Sequence, residues 1–223
     1  LSELSLGFNR IENEGCKKLG ELLKNTSSGI LRLDLQHNYF VDDDGIGFLV
    51  GGLFESAIIK SLNLSSQRKL SAESWRMLSA YLRSPNCLLE TLYLGGECHI
   101  DDEGAFYLGN AFAVNNTLKC MNFECNYTIS SFGWQEISRC LRPHSALEEI
   151  VLINCSIEDD GAFALFSALA TSSSLKKLKI SENESITELG WEVCLPFLHE
   201  SVASHEELDF SFNNINDIGA NML

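Results

Sequence analysis

The amino-acid sequence predicts an α/β solenoid, in which about eight copies of one strand-and-helix unit share a continuous hydrophobic core. Three observations carry this prediction. A pattern of leucine-like residues recurs every 28 to 30 residues, apolar residues at helical spacing follow each copy of it, and the distance between two landmarks of the unit stays constant. The copies begin near residues 1, 30, 59, 89, 118, 147, 175 and 205, so residues 1–223 form one array with a truncated last copy.

Each copy opens with apolar residues at its first, fourth and sixth positions, as in Ile30, Leu33 and Leu35. The final alternation has a period of two, which is typical of a short strand with one buried face. A polar residue follows the strand, and a buried amide at this point can both donate to and accept from the turn backbone. The position is held by Asn9, Asn38, Gln67, Cys98, Asn126, Cys155, Asn183 and Asn213.

The second half of each copy contains a glycine followed by apolar residues at helical spacing, as in Leu165, Ala168 and Leu169. An apolar residue lies four positions before the glycine in all eight copies, with Ser74 replacing the glycine once. One strand and one helix cannot enclose a core, whereas stacked copies can. Because parallel strands lie about 4.8 Å apart and helices about 8–10 Å apart, the helices must splay outwards and the strands must line the inner wall.

Two types of copy alternate from the second copy onward. One type begins its helix with acidic residues, at Asp43-Asp44, Asp102-Glu103 and Asp159-Asp160. In the other type a tryptophan follows the glycine position, at Trp75, Trp134 and Trp191. We expect the carboxylates to cap free N–H groups at the helix start rather than to bind calcium. We expect the tryptophans to pack between neighbouring helices at the convex rim.

The pattern Leu-x-x-Leu-x-Leu-x-x-Asn/Cys followed by a helix, repeated in pairs, resembles the ribonuclease-inhibitor-like class of leucine-rich repeats. That class includes ribonuclease inhibitor, the sensing regions of nucleotide-binding immune receptors and the Ran GTPase-activating protein. The resemblance covers essentially the whole chain, and it implies a right-handed, horseshoe-shaped solenoid with protein-binding surfaces. The clean asparagine–cysteine alternation of ribonuclease inhibitor is missing, so we transfer none of that inhibitor's contact residues.

Composition narrows the classes of partner. The formal charge of −15 repels phosphate backbones and anionic membranes, which argues against both as partners. No run of 18 apolar residues suggests a membrane span. The eight cysteines allow disulfide bonds, but most of them fall where the repeat needs a small buried residue, and free thiols pack well there. This usage favours a reducing compartment, so we expect a cytoplasmic protein.

Candidate binding residues occupy the outward-facing positions of the strands. Tyr93, Val151 and Ile153 are apolar groups on a solvated face, which can mark a contact site, although isolated surface hydrophobes are common. The pairs Glu148-Glu149, Lys176-Lys177 and Glu206-Glu207 would stack as alternating charge, as an ion-pair ladder or, less favoured, as a docking patch. The candidate partner-binding set is Asp34, Asn63, Tyr93, Asn122, Val151, Ile153, Lys177, Lys179 and Asp209.

The sequence indicates no catalytic, cofactor-binding or metal site. His199-Glu200 is followed by His205 at a spacing that does not fit a zinc-binding HExxH helix, and phosphate-loop, CxxC and Gly-x-Ser-x-Gly motifs are missing. We therefore predict a non-enzymatic scaffold that binds another protein through its concave face and rim loops.

Two alternatives stay open. The chain could be a GTPase-activating accessory protein similar to the Ran regulator, with Arg32 as the only arginine on the predicted concave strands. It could also be a spacer segment of a larger immune-type sensor. Leu1 opens directly on a strand and Leu223 stops inside a helix, with no polar cap at either end. We therefore expect a fragment of a longer protein, or self-association through the uncapped ends.

Overall fold

The computed structural model of the protein describes residues 1–25, 28–56, 58–141, 145–198 and 205–222, which leaves the His199-Glu200 pair outside the described residues. Within them, eight parallel strands of three residues form one sheet in chain order. The strands are β1 (Glu3–Ser5), β2 (Arg32–Asp34), β3 (Ser61–Asn63), β4 (Thr91–Tyr93), β5 (Cys120–Asn122), β6 (Glu149–Val151), β7 (Lys177–Lys179) and β8 (Glu207–Asp209). The central apolar residues of neighbouring strands lie side by side, from Leu4 and Leu33 to Leu178 and Leu208.

A helix follows each strand, and each helix packs on the next one along the described chain. The helices are α1 (Asn13–Lys24), α2 (Asp43–Glu55), α3 (Ala72–Leu82), α4 (Asp102–Phe112), α5 (Ser131–Ile137), α6 (Asp159–Leu169), α7 (Glu188–Cys194) and α8 (Asp217–Ala220). Single 3₁₀ turns at Ser138–Leu141 and Leu195–Leu198 extend α5 and α7. The strict alternation of strand and helix confirms the predicted α/β solenoid.

The core is one continuous apolar cluster between the sheet and the helices. Strand residues such as Leu62 and Ile150 are fully buried in it, together with helix residues such as Leu49 and Leu108. The equivalent residues of the first and last strands, Leu4 and Leu208, are only partly buried. The interior therefore runs along the array rather than gathering around one centre, as expected of stacked copies.

The buried amides after the strands form the expected hydrogen bonds. Nδ2 of Asn183 donates to the carbonyl oxygens of Leu152 at 2.8 Å and Ile180 at 3.0 Å. Its Oδ1 accepts from the N–H groups of Cys155 at 3.0 Å and Ile157 at 3.1 Å. One side chain thus satisfies buried backbone groups in its own copy and in the preceding one, and it fixes the distance between the two turns.

A cysteine in this position reproduces only part of the arrangement. The thiol of Cys98 donates to the carbonyl oxygens of Leu64 and Gly95, each at 3.2 Å. The thiol of Cys155 makes the equivalent bond to Phe123, also at 3.2 Å. A thiol is a weak donor with little acceptor strength, so the donating half of the asparagine's role is kept and the accepting half is lost.

The tryptophans lie in the core itself, and Trp75, Trp134 and Trp191 are all fully buried. They pack between neighbouring copies as expected, but they do not lie at the convex rim. A Cβ atom added to Gly104 would overlap the ring of Trp75, and one added to Gly161 would come within 3.2 Å of Trp134 Cβ. The glycine of the acidic copy therefore makes room for the tryptophan of the copy before it.

The acidic residues divide into two roles. Asp42 and Asp101 cap their own helices, because their carboxylates accept from the N–H groups of Asp44 and Gly104. The cap position of the sixth copy, Glu158, makes no such bond. Two of the acidic copies are therefore capped, but by the residue that directly precedes each helix and not by the acidic pairs that were expected to cap them.

The first residue of each acidic helix reaches the next copy instead. The carboxylates of Asp43, Asp102 and Asp159 accept from the backbone N–H and the hydroxyl of Ser71, Ser130 and Thr187, at 2.6–2.9 Å. Partial burial acts to raise the pKa of Asp43, but hydrogen bonds from Ser71 and Ser74 outweigh it and hold that pKa below its usual value. These bridges tie the acidic copy to the tryptophan copy that follows.

Removing a buried amide is predicted to cost far more than removing an exposed one at the same repeat position. Asn183→Ala leaves two buried N–H groups and two carbonyls unsatisfied, so it should lower the free energy of unfolding by about 3 kcal/mol. Asn9→Ala removes bonds that water can replace at an exposed turn, and it should cost less than about 1 kcal/mol. Urea unfolding followed by circular dichroism measures both, and equal losses would contradict the proposed role of the buried turn.

Adding a methyl group beside Trp75 is predicted to destabilise the array. Gly104→Ala should lower the free energy of unfolding by about 1–3 kcal/mol, because it overpacks a filled core. The control is Gly51→Ala in α2, where a Cβ would have no atom within 4 Å. That change should raise stability by about 0.5–1 kcal/mol through helix propensity. Thermal unfolding distinguishes the two, and a Gly104→Ala protein as stable as the wild type would show that the tryptophan contact does not require glycine.

Candidate protein-binding surface

The predicted binding residues form a continuous row across the face of the sheet that points away from the helices, here called the concave face. The strand register places each central outward residue beside the next one. The row runs Asp34, Asn63, Tyr93, Asn122, Val151, Lys179 and Asp209, with Lys177 and Ile153 beside it. The structure thus brings seven of the nine candidates into one line.

An open groove of about 340 Å³ crosses this face over β3, β4 and β5. Tyr93 lies at its centre, and Asn63 and Asn122 lie on either side. His37 and Cys125 line the end of the groove nearest the turns. Three of the nine predicted site residues therefore line the groove, and the remaining six lie outside it.

The groove lies where the turn after β4 differs from its neighbours. That turn has one additional residue between Leu94 and Cys98, and it contains two consecutive glycines, Gly95 and Gly96. A Cβ on Gly95 would lie 2.9 Å from Oδ1 of Asn122, and Gly96 has a left-handed φ of +73°. Two missing side chains leave the space that the groove occupies. This opening was not among the predicted features, although the glycine pair and the inserted residue are visible when the copies are placed one above another.

The two asparagines of the groove use only half of their hydrogen-bonding groups. Oδ1 of Asn63 accepts from the N–H of Ser65 at 3.0 Å, and Oδ1 of Asn122 accepts from the N–H of Glu124 at 2.7 Å. Within the described part of the chain, neither Nδ2 group has an acceptor. Each amide is therefore held in place by its oxygen, and its two N–H donors are available to a bound segment.

Tyr93 supplies the apolar surface of the groove and is half-buried. Burial, followed by the nearby Cys120 and Glu149, raises the pKa of Tyr93. Its hydroxyl is consequently neutral across the physiological pH range and can donate a hydrogen bond. A half-buried tyrosine between two fixed amides combines a rigid apolar body with polar groups, which is typical of energetically important contacts between proteins.

Comparison with known proteins agrees with the repeat pattern. A family model described as a leucine-rich repeat matches residues 1–20 and 206–223. NACHT, LRR and PYD domains-containing protein 13 of Homo sapiens is 30% identical over 188 residues, which cover 84% of this chain and 18% of that protein. Ribonuclease inhibitor of Mus musculus is 27% identical over 186 residues, which cover 82% of this chain and 40% of the inhibitor. The chain matches the ribonuclease-inhibitor-like leucine-rich repeats.

A solved structure shares the fold of this leucine-rich repeat array. One chain of the crystal structure of the yeast Rad7 and Elc1 complex aligns with a TM-score of 0.54 and 15% identity, over 100% of this chain and 60% of that chain. The array spans less than a fifth of the NACHT, LRR and PYD relatives that it matches, at 18% of two of them and 15% of another.

The other two apolar candidates of the array lie outside the groove. Val151 is only 8% exposed, so it does not project as an outward apolar group in the way the sequence suggested. Its neighbours in the sheet, Asn122 and Lys179, flank it on both sides. Ile153, which follows β6 at the start of the next turn, is half-buried. Tyr93 is therefore the candidate whose apolar surface lines the groove.

The charged residues beside the sheet form the ion pairs that a ladder requires. Lys176 contacts Glu148 at 2.8 Å, and Lys179 contacts Glu207 at 3.1 Å. The hydrogen bond from Lys176 lowers the pKa of Glu148, as expected of a paired carboxylate. The alternation also extends beyond the pairs seen in the sequence, as the row Lys60, Glu90, Lys119, Glu148, Lys176 and Glu206. Within the described residues, Lys177 makes no ion pair.

Arg32, the arginine of the predicted concave strands, makes an ion pair with Glu3 at 3.1 Å on the neighbouring strand.

All eight cysteines are free thiols. Over residues 1–25, 28–56, 58–141, 145–198 and 205–222, no group of three or more His, Cys, Asp or Glu side chains is placed to hold a metal ion. No helix in the same ranges is long and apolar enough to cross a bilayer.

The buried thiols predict a loss of stability at alkaline pH. Burial is the main cause that raises the pKa of Cys98 and of Cys155 to about 12. An unfolded chain loses these protons near pH 9, so the stabilisation is complete below that pH and is lost as the pH rises towards the folded value. Each thiol should lower the free energy of unfolding by at most about 1.4 kcal/mol per pH unit in this window.

A pair of variants checks the assignment to a particular thiol. Cys98→Ala should flatten the dependence of the urea midpoint on pH between pH 9 and pH 10.5, because one titrating group is removed. Ile100→Val, at a fully buried site in the same turn, loses packing but no ionisable group and should keep the wild-type slope. Identical slopes in all three proteins would show that buried thiols do not govern the alkaline loss.

Proposed function

We propose that this chain is a non-enzymatic protein-binding module, in which the groove centred on Tyr93 receives a segment of another protein. The observation that supports it is the combination of an accessible aromatic side chain with two fixed amides whose N–H donors have no acceptor in the described residues. An extended polypeptide can offer carbonyl oxygens to Asn63 and Asn122 and an apolar side chain to Tyr93.

The relatives support a binding role of this kind. The mouse and pig ribonuclease inhibitors, which match the array at 27% identity, are named for acting on another protein. The shared fold alone assigns no partner, because function depends on the surface residues that each chain carries. The groove residues of this chain are therefore the basis of the proposal, and the relatives supply only its general class.

The polar groups around the groove favour binding over catalysis. Oγ of Ser66 lies 3.4 Å from Nε2 of His37, and Nδ1 of His37 lies 2.7 Å from the Tyr39 hydroxyl. A tyrosine therefore stands where a hydrolase has the carboxylate that orients its histidine. Ser66 is also buried, so its hydroxyl is poorly placed to attack a substrate in the groove.

The proposed partner is a protein rather than nucleic acid or a membrane, because a chain with a formal charge of −15 repels extended polyanions. The free thiols fit a cytoplasmic setting, which we propose as its location. Since the relatives include proteins with NACHT, LRR and PYD domains, we also propose that the array serves as a recognition segment within a longer sensor chain.

A charge placed at the centre of the groove is predicted to abolish partner binding. Tyr93→Lys should reduce the amount of specific co-purifying protein at least about tenfold, because the loss of a central aromatic contact commonly costs 2 kcal/mol or more, roughly thirtyfold in affinity. The matched control is Phe106→Lys on the outer surface of α4, which is 42% exposed. Affinity purification from cell lysate with quantitative mass spectrometry gives the comparison.

Two results would contradict the proposal. If Tyr93→Lys and the wild type retain the same proteins in equal amounts, the groove is not the binding site. If Phe106→Lys loses the same proteins as Tyr93→Lys, the effect comes from added charge rather than from the groove. Circular dichroism of both variants establishes beforehand that the fold is intact.

A further inference from the structure

The turns that follow the strands form one rim of the solenoid, and this rim changes in chemistry along the array. In the first three copies it carries six exposed residues, here called the aromatic–cationic rim: Phe8, Arg10, Tyr39, Phe40, Arg68 and Lys69. The corresponding turns of later copies keep exposed aromatic residues at Tyr127 and Phe212 but carry no lysine or arginine, and they include the acidic residues Glu182 and Glu184. A surface of this composition is unusual in a chain with so large a negative charge.

The aromatic residues of the rim are held in place by one another. The Phe8 ring, 72% exposed, stacks on His37 with a centroid distance of 4.2 Å and an interplanar angle of 22°. His37 also meets Tyr39 edge-on, at a centroid distance of 5.7 Å. These contacts link the first two copies, so the rings present a fixed surface rather than mobile side chains.

The cations extend this arrangement into the third copy. The Arg68 guanidinium lies 5.1 Å from the Tyr39 ring centroid, and the Lys69 ammonium lies 5.2 Å from that of Phe40. Arg68 also pairs with Glu97 at 3.1 Å. Cation–π contacts restrict both side chains before any partner arrives, which reduces the conformational entropy lost on binding.

Two cations of the rim have no ion-pair partner. Across the described parts of the chain, no carboxylate lies within ion-pair distance of Arg10 or Lys69, whereas Arg68 is paired. Asp43 bonds to the start of α3, and Glu73 pairs with Arg76. Glu12 follows Arg10 closely in sequence but does not pair with it. Arg10 and Lys69 can therefore each bind a carboxylate of another molecule.

We propose that the aromatic–cationic rim docks an acidic segment of a partner protein, with apolar side chains set between its carboxylates. The carboxylates would bind Arg10, Lys69 and the remaining donors of Arg68, and the apolar side chains would pack on Phe8 and Phe40. This inference rests on the proposed protein-binding function and adds the chemistry of the partner.

The position of the rim suits a peptide better than a nucleic acid. His37 stacks on Phe8 of the rim and also lines the groove around Tyr93, so a segment bound along the rim leads into that groove. A short acidic peptide meets only the local positive charge, whereas a longer polyanion would also meet the negative surface of a chain with a formal charge of −15.

The test is fluorescence anisotropy with the whole chain at low ionic strength. The probe is a fluorescein-labelled peptide of sequence Glu-Glu-Phe-Glu-Glu-Leu-Glu-Glu, and its matched control has glutamine in place of every glutamate. The acidic peptide should bind roughly tenfold more tightly than its glutamine counterpart. Equal affinity of the two peptides would overturn the proposal, and so would tighter binding of an oligothymidylate of the same charge.

Variants locate the binding. Arg10→Gln combined with Lys69→Gln should weaken binding of the acidic peptide roughly tenfold. Lys17→Gln combined with Lys18→Gln, with the same change of charge on the exposed face of α1, should change it less than about twofold. Equal weakening by both pairs would show that binding follows net charge and not the rim.

Two further comparisons complete the test. Phe40→Ser should weaken binding about fivefold and Phe106→Ser should leave it unchanged, because only Phe40 belongs to the rim; equal effects would count against the aromatic contribution. The two proposals fail separately. If the rim variants bind the acidic peptide like the wild type while Tyr93→Lys still loses its partners, the docking rim is wrong and the groove stands.

Discussion

One hydrogen-bonding side chain in each copy, buried in all but the first and last copies, sets the turn on which the rest of the array depends. Where that side chain is asparagine, as at Asn183, it satisfies the backbone of its own turn and of the turn before it. The residue directly before this side chain has a left-handed φ angle, as at His37 and Cys125, and the local hydrogen bonds stabilise that conformation. Strand register, the row of outward side chains and the exposed rim all follow from this shared geometry.

Two different contacts join successive copies, which gives a physical reason for the two repeat types. From an acidic copy to a tryptophan copy, the link is a carboxylate that accepts from a backbone N–H and a hydroxyl, as between Asp43 and Ser71. From a tryptophan copy to an acidic copy, the link is a buried ring against a glycine, as between Trp75 and Gly104. Polar and apolar joints therefore alternate along the array.

The fold and the concave row could be predicted from the sequence because both follow from a fixed period. Once the strands are parallel and in register, Asn63, Tyr93 and Asn122 must be neighbours. The groove could not be predicted in this way, because it arises where one copy departs from the period at Gly95-Gly96. The burial of Val151 and the stacking of Arg68 on Tyr39 depend on side-chain lengths in adjacent copies, and periodicity carries no information about those.

The alternation of joints limits how such a chain can change in length. If a single tryptophan copy were deleted, two acidic copies would become adjacent, and the carboxylate of Asp43 would face the capping carboxylate of Asp101 instead of a serine hydroxyl. Two adjacent carboxylates repel each other, and no hydroxyl would remain to donate. The pair of copies, rather than the single copy, is therefore the smallest length by which this array can grow or shrink with its contacts intact.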